Sequence, residues 1–176
     1  MVSAVSHYDV DISTDCGLHV HMDLTDISLA DLKKICMNWV KYEDAIDLCI
    51  DENRRDSTNE YCMNVRDNMR FADKTDSEVL ELIDSQKSRK GLVNLMNAHP
   101  ENRNRYYKLN LQNLVNKENP RNTIEFRGHE ATMDPIMIEN WKQKPIAFGD
   151  NTSTDNQFDR LFEKFVKDEE LEEYYG

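Results

Sequence analysis

Residues 17–24 read GLHVHMDL and residues 123–127 read TIEFR, and both stretches alternate strictly between apolar and polar residues. A period of two is typical of a β-strand that buries one of its faces. In the first stretch the residues opposite the apolar face are His19, His21 and Asp23. In the second stretch the corresponding residues are Thr123, Glu125 and Arg127. The two stretches therefore predict two strands, each with one apolar and one polar face.

The polar faces of these two strands would meet if both strands lay in one sheet over the same core. The shared face would then carry two imidazoles, two carboxylates and one guanidinium. Carboxylates and imidazoles bind metal ions, and a guanidinium pairs with the oxygens of carboxylate or phosphate. This pattern predicts a site that holds a divalent metal and binds an anionic substrate.

Five stretches of the chain resemble, in order, the amidoligase family. Residues 17–24 are similar to the Gly-Met-His-x-His motif of glutamine synthetases, and residues 123–127 to their later Ile-Glu-x-Arg strand. The other three are residues 51–62, the RYYKLN stretch at 105–110 and the GHEATMDPIMIENW stretch at 128–141. Each motif alone is weak, but their ordered co-occurrence is fairly specific. The resemblance covers roughly residues 12–142, and we expect a single domain over residues 1–176.

The family consists of ATP-dependent carboxylate–amine ligases with a glutamine-synthetase-like core. The resemblance implies an α+β fold with at least part of that core. An antiparallel sheet would carry helices on its apolar face and the site on its polar face. It also implies that the chain forms an amide bond through an acyl phosphate, with ATP and magnesium as cofactors. The substrates would be a small-molecule or peptide carboxylate and an amine.

The resemblance assigns roles to individual residues. The metal ligands would be His19 and Glu125. The candidate catalytic residues are His21, Arg105 and Arg127, and the candidate cofactor-binding residues are His21, Arg105 and Asn110. Arg127 would clamp phosphate or carboxylate, because its planar fork can pair with two oxygens at once.

Each of these residues also has a plainer interpretation. Alternate histidines on a strand can simply face solvent, and Asn110 could equally well end a strand. Glu125 could form a cross-strand ion pair with Arg127 or Lys108, which contributes little if it is exposed. The family's arginine-containing loop falls on Arg54 and Arg55, and for both a solvated loop position is the more common case.

One element of the family pattern is not found. The resemblance implies an earlier strand with a Glu-x-Glu-like acidic pair that supplies metal ligands. The sixteen residues before Gly17 contain three aspartates and no glutamate. An alternative function is therefore that of a shortened, non-catalytic relative that binds a nucleotide, peptide or protein. A third interpretation is a metal hydrolase built on His19, His21 and Glu125.

Composition limits the classes of partner. The formal net charge of −12 disfavours binding to nucleic acid or to anionic lipid. No apolar run is long enough to cross a membrane, and the first residues lack the basic and apolar regions of a signal peptide. The four cysteines have no C-x-x-C spacing, and Cys36 and Cys49 fall on apolar helical positions, which is typical of reduced core thiols. We expect a cytoplasmic protein that binds neither nucleic acid nor membrane. Its oligomeric state stays open.

The remaining sequence mainly predicts helices. Helix starts are predicted at the cap patterns of residues 28–31, 75–78 and 134–135. The first helix should end near Asp51, and the second should pause near Gly91. Residues 155–176 should form an amphipathic helix with an acidic tail. A third strand is predicted around Tyr107, Leu109 and Leu111.

Overall fold

The computed structural model describes residues 12–13, 16–117 and 121–141. It contains a three-stranded antiparallel sheet whose strands are β1 (Val20–Asp23), β2 (Leu109–Asn110) and β3 (Thr123–Phe126). Its helices are α1 (Leu29–Asp47), α2 (Asp76–Asp84), α3 (Arg89–Met96) and α4 (residues 135–141). The predicted α+β class is confirmed. The helix predicted over residues 155–176 lies outside the described residues.

The central strand of the sheet is β3, which pairs with β1 on one side and β2 on the other. Val20 lies opposite Phe126, and His21 lies opposite Glu125. On the other side, Asn110 also lies opposite Glu125. Because side chains alternate along each strand, His21, Glu125 and Asn110 form one polar row across the sheet. The prediction that the two polar strand faces meet is confirmed.

Helix α1 packs against the apolar face of the sheet. Ser28 caps its first turn by accepting a hydrogen bond from the backbone N–H of Asp31. The Trp39 ring lies 5.4 Å from the Phe126 ring, centre to centre. The prediction that this helix runs to about Asp51 is wrong by one turn. It ends at Asp47, because the Asp51 carboxylate instead caps the next turn.

Helices α2 and α3 are two separate elements. The predicted capping box between Thr75 and Glu78 is present at the start of α2. The predicted pause near Gly91 is wrong, because the break covers residues 85–88 and Gly91 lies inside α3. The physical reason is a second cap: the Ser88 hydroxyl accepts the backbone N–H of Gly91 at 3.0 Å and so starts a new helix.

The predicted third strand is shorter than expected. Only Leu109 and Asn110 pair with β3. Tyr107 forms a parallel bridge with Met63 instead, and Leu111 precedes a short 3-10 turn. The bridge brings the segment around Met63 to the edge of the sheet, beside the residues that precede β2.

A buried charge network ties this segment to the helix layer. Lys108 is fully buried, and its Nζ lies 2.5 Å from Asp47 Oδ1 and also donates to the Asn64 side chain. The second Asp47 oxygen accepts from the Asp56 backbone N–H and from Asn64 Nδ2. An ammonium is tolerated in the interior only when it is paired and hydrogen-bonded. The ion pair that the sequence suggested between Lys108 and Glu125 does not form, because Lys108 points to Asp47.

A second acidic residue of α1 extends the network. The buried Glu43 carboxylate accepts from the Trp39 indole N–H at 2.7 Å and from the backbone N–H groups of Val65 and Arg66 at 2.8 and 2.9 Å. Burial raises the pKa of Glu43 to about 7, against the opposing effect of these donors. Glu43 and Asp47 together hold the irregular connection between α1 and α2.

Two further findings bear on the predicted class of protein. Among the described residues no helix has the length and hydrophobicity needed to cross a membrane. The four cysteines form no disulfide: Cys16 is exposed, Cys49 is half-buried, and Cys36 and Cys62 are buried. The prediction of unpaired thiols is confirmed.

Replacing Lys108 by Met should destabilise the fold by about 3–5 kcal/mol, because it leaves the Asp47 carboxylate buried without its counter-charge. A matched control is Lys34→Met, since Lys34 is 54% exposed and pairs with Asp31 only at the surface. The control should change stability by less than about 1 kcal/mol. Urea unfolding of the three proteins measures both values. Similar small losses in both variants would show that the buried pair contributes little.

Candidate functional site

The centre of the polar face is the Glu125 carboxylate, which is 8% exposed. Its Oε1 lies 2.8 Å from His19 Nδ1, 3.1 Å from Arg127 Nη1 and 3.7 Å from His21 Nε2. Its Oε2 accepts from Asn110 Nδ2 at 2.6 Å. Five of the six residues that the sequence singled out are therefore in direct or near contact around one carboxylate.

Glu125 is ionised at neutral pH. Burial alone would raise the pKa of Glu125, but hydrogen bonds from His19 and Asn110 and the charge of Arg127 lower it to about 2. The predicted Glu125–Arg127 pair exists, but it is not a cross-strand pair: Glu125 lies in β3, and Arg127 directly follows the end of that strand. It is also buried, so the weak contribution expected of an exposed pair does not apply.

Arg127 is 5% exposed and has one donor to spare. Its Nη1 binds Glu125, and its Nη2 donates to the Tyr61 carbonyl at 3.2 Å. Among the described residues, nothing accepts a hydrogen bond from its buried Nε. Burial lowers the pKa of Arg127 and Glu125 opposes that shift, so the guanidinium keeps its charge. A buried donor without a partner costs about 1–3 kcal/mol.

Arg105 lies at the edge of the same face and is exposed. Its guanidinium carbon lies 5.4 Å from the centre of the Tyr106 ring, and that of Arg127 lies 5.7 Å from the same ring. The positive charge of Arg105 contributes to the lowered pKa of Arg127. Two guanidinium groups that repel one another across a tyrosine favour binding of an anion that neutralises both.

Asn110 and His21 are both oriented by neighbouring residues. The Asn110 side chain is 3% exposed, donates to Glu125 and accepts from the Gln112 backbone N–H at 2.9 Å. It therefore positions the Glu125 carboxylate, and its contact with a nucleotide stays a prediction. His21 Nδ1 lies 3.2 Å from the Thr123 hydroxyl, which orients the other ring nitrogen towards Glu125.

The pairing of β1 with β3 shifts by one residue next to the site. Val20 lies opposite Phe126, but further along Gly17 bridges to Glu130. Two residues, 18–19, therefore face three residues, 127–129, so the second segment has one residue more than the first. Strand pairing is interrupted between these two contacts, and we call this irregular segment the bulge, since an extra residue on one side of a strand pair redirects side chains and is common beside active sites.

Arg54 stabilises this bulge, and the sequence interpretation missed it. Its side chain donates from Nε to the Gly128 carbonyl at 2.9 Å and from Nη2 to the Arg127 carbonyl at 3.1 Å. The expectation that Arg54 is solvated is wrong: the residue is 4% exposed, because carbonyls freed from sheet pairing by the bulge need donors. A Cβ at Gly17 would lie 2.7 Å from Arg54 Nη2, so any other residue at this position would require the guanidinium to shift. The adjacent Arg54 and Arg55 mark this loop in the sequence, but the sequence does not reveal which of the two arginines is buried.

The side chains around Glu125 supply few ligands for a magnesium ion. No group of three histidine, cysteine, aspartate or glutamate side chains in the described ranges could hold a metal ion. Magnesium is often bound through one or two carboxylates while water and substrate phosphates complete its coordination. Glu125 meets that requirement, and His19 lies beside it. Both Glu125 oxygens already accept hydrogen bonds, so the described residues do not by themselves form a magnesium site, and a magnesium ion here would have to be held mainly by water and the phosphates of a substrate.

Comparison with known protein families gives a match. A family model described as "Putative amidoligase enzyme" matches residues 6–148, a range that contains all the site residues described above. No curated protein and no solved structure matches the chain.

Glu125→Gln should destabilise the fold less at low pH than at neutral pH. The pKa of Glu125 lies below that of an unfolded glutamate, about 4.3. Its ionised form therefore stabilises the fold above that pH, and the contribution is lost as the pH falls towards 2. Urea unfolding at about pH 7 and about pH 3 measures the difference between wild type and variant. Glu81→Gln, an exposed control, should show no such change. A wild-type–variant difference that does not vary with pH would contradict the assignment.

Arg54→Met should destabilise the fold by about 2–4 kcal/mol, because it removes the donors of two buried carbonyls. The neighbouring Arg55 is half-buried and donates from its Nε to the Ile50 carbonyl. Arg55→Met is therefore a matched control and should lose about 1 kcal/mol. Denaturant titration compares the two variants. Equal losses would mean that the bulge contacts add nothing specific.

Proposed function

The chain belongs to the amidoligase family, and we propose that it is an ATP-dependent ligase that joins a carboxylate to an amine. The observation that carries this proposal is the combination of charges on the polar face. An ionised Glu125 lies beside a buried Arg127 that has a donor to spare, with a second guanidinium at Arg105. Such a face can bind the phosphates of ATP and the carboxylate of a substrate.

The proposed reaction has two steps. A carboxylate oxygen of the first substrate attacks the γ-phosphorus of ATP, the bond to the bridging oxygen breaks, and ADP leaves with that bonding pair. The nitrogen of the amine then attacks the acyl carbon of the acyl phosphate. Inorganic phosphate leaves with the electron pair of the broken carbon–oxygen bond, and the extra proton of the amine passes to solvent. The substrates would be a small-molecule or peptide carboxylate and an amine.

The chain's own residues would act mainly by binding and orientation. Arg127 and Arg105 would pair with phosphate or carboxylate oxygens, and His21 would donate to phosphate. Glu125, with His19, would hold magnesium, which neutralises phosphate charge when bound. Asn110 would keep the Glu125 carboxylate in place. A rigid, partly buried arrangement suits these roles, because fixed donors need no reorganisation when negative charge develops on the reacting groups.

The alternative function is a non-catalytic relative that binds a nucleotide, a peptide or a protein through the same face. One observation favours it. Within the described residues, the ion pairs of His19, His21 and Arg127 involve one carboxylate only, that of Glu125. A ligase would need further acidic ligands or a metal held mostly by substrate, whereas a binding module needs neither.

Glu125→Gln should weaken magnesium-dependent binding of ATP by at least tenfold, about 1.4 kcal/mol, because it removes the charge that a cation needs. Calorimetric titration of a non-hydrolysable ATP analogue with magnesium measures this effect, with exposed Glu81→Gln as the matched control. In thermal melts, ATP with magnesium should raise the melting temperature of the wild type more than magnesium alone does.

The outcomes separate the candidate functions. Release of ADP and phosphate that depends on both an amine and a carboxylate from a substrate panel would support the ligase. Nucleotide binding without such turnover would favour the binding module. Unchanged nucleotide binding in Glu125→Gln would remove Glu125 from the proposed site, and no binding to the wild type at millimolar ATP would contradict nucleotide use.

A further inference from the structure

Tyr61 is an exposed aromatic residue on a fixed backbone. Its side chain is 55% exposed. Its backbone N–H donates to Asn59 Oδ1 at 3.0 Å, and its carbonyl accepts from Arg127 Nη2 at 3.2 Å. An aromatic side chain with two rotatable bonds loses little entropy on binding, and its exposed ring offers a large contact area. A ring presented in this way beside a polar site is suited to bind a flat ligand group.

Tyr106 supports the Tyr61 ring and links it to the cationic groups. The two ring centres lie 5.3 Å apart at 76°, which is an edge-to-face contact. The Tyr106 ring also lies within 6 Å of the guanidinium carbons of Arg105 and Arg127. We call Tyr61 and Tyr106 the tyrosine shelf. The shelf is continuous with the two arginines, so an aromatic surface adjoins a site for anions.

The segments that carry the shelf are held together by other contacts. Met63 and Tyr107 form a parallel bridge directly beyond the two tyrosines. On the other side, Arg103 forms an ion pair with Glu60. The backbone positions of the two tyrosines are therefore held mainly by this bridge, with a weaker contribution from the exposed ion pair, and such an arrangement favours a preformed binding surface.

We propose that the tyrosine shelf binds the base of a nucleoside triphosphate, with the base stacked on Tyr61 and the phosphates at Arg105 and Arg127. This inference rests on the proposed function, because it assigns a place to the base of the ATP used there. Stacking on an aromatic ring suits any nucleobase, since every base has a π-face. A nucleotide joins a flat aromatic base to a chain of anionic phosphates. The tyrosine shelf matches the base, and the adjoining arginines match the phosphates.

The test separates the base from the phosphates. The full chain is titrated in a calorimeter with a non-hydrolysable ATP analogue and, separately, with inorganic tripolyphosphate, both with magnesium. Tyr61→Ala should weaken binding of the analogue by about fivefold or more. It should change binding of tripolyphosphate by less than about twofold, because the phosphates do not contact the ring.

Two variants serve as controls. Tyr61→Phe keeps the ring and should bind the analogue within about twofold of the wild type. Met69→Ala alters a methionine of similar exposure, 52%, which lines a groove with residues of α2 and α3. It should leave both affinities unchanged. Thermal melts confirm that each variant is folded.

The results that would overturn the inference differ from those that would overturn the function. If the wild type binds the analogue but Tyr61→Ala binds it equally well, the shelf does not bind the base and the proposed ligase stands. The inference also fails if Tyr61→Ala weakens tripolyphosphate as much as the analogue, or if Tyr61→Phe is as weak as Tyr61→Ala. If the wild type binds neither probe, the proposed function fails, and the inference fails with it. A raised KM for the carboxylate or amine with unchanged nucleotide affinity would assign the shelf to a substrate instead.

Discussion

The buried ion pair between Lys108 and Asp47 is the constraint on which the site depends. It joins the end of α1 to the residue that precedes β2, and through Asn64 it also fixes the connection between α1 and α2. That connection carries Tyr61, whose carbonyl binds Arg127. The position of Arg127 thus depends in part on a charge pair that lies outside the polar row. An ammonium and a carboxylate removed from water leave few alternative arrangements, because any other would leave one of them unpaired.

The second constraint is the saturation of Glu125. Its two oxygens accept from an imidazole, a guanidinium and an amide, and these donors keep it ionised although it is almost buried. Each donor comes from a different place: β2, the residue that follows β3 and the residue that precedes β1. All three donors reach Glu125 only when their segments are correctly aligned. A ligand that displaces one of these donors must replace the hydrogen bond that is lost.

The candidate site could be predicted in outline from sequence because most of its residues lie on strands or directly beside them. His19, His21, Glu125 and Arg127 are alternate residues of two amphipathic segments, so a period of two places them on one face without knowledge of the fold. Caps at Ser28 and Thr75 were equally readable, because capping depends on residues within one turn. The break before α3 was misplaced for a related reason: glycine was given more weight than the Ser88 cap that starts the helix.

The sequence by itself determined the fold class, the polar face and the family, because each rests on local periodicity or on the order of motifs along the chain. Only the tertiary structure decided which charged residues are buried. Arg54 and Arg55 are adjacent and chemically identical, yet one supports the carbonyls of the bulge 73 and 74 residues away and the other lies half-buried on its own loop. Lys108 and Asp47 are likewise separated by 61 residues. Burial of a polar group depends on the partners that the fold brings to it, and no local pattern encodes contacts over such distances.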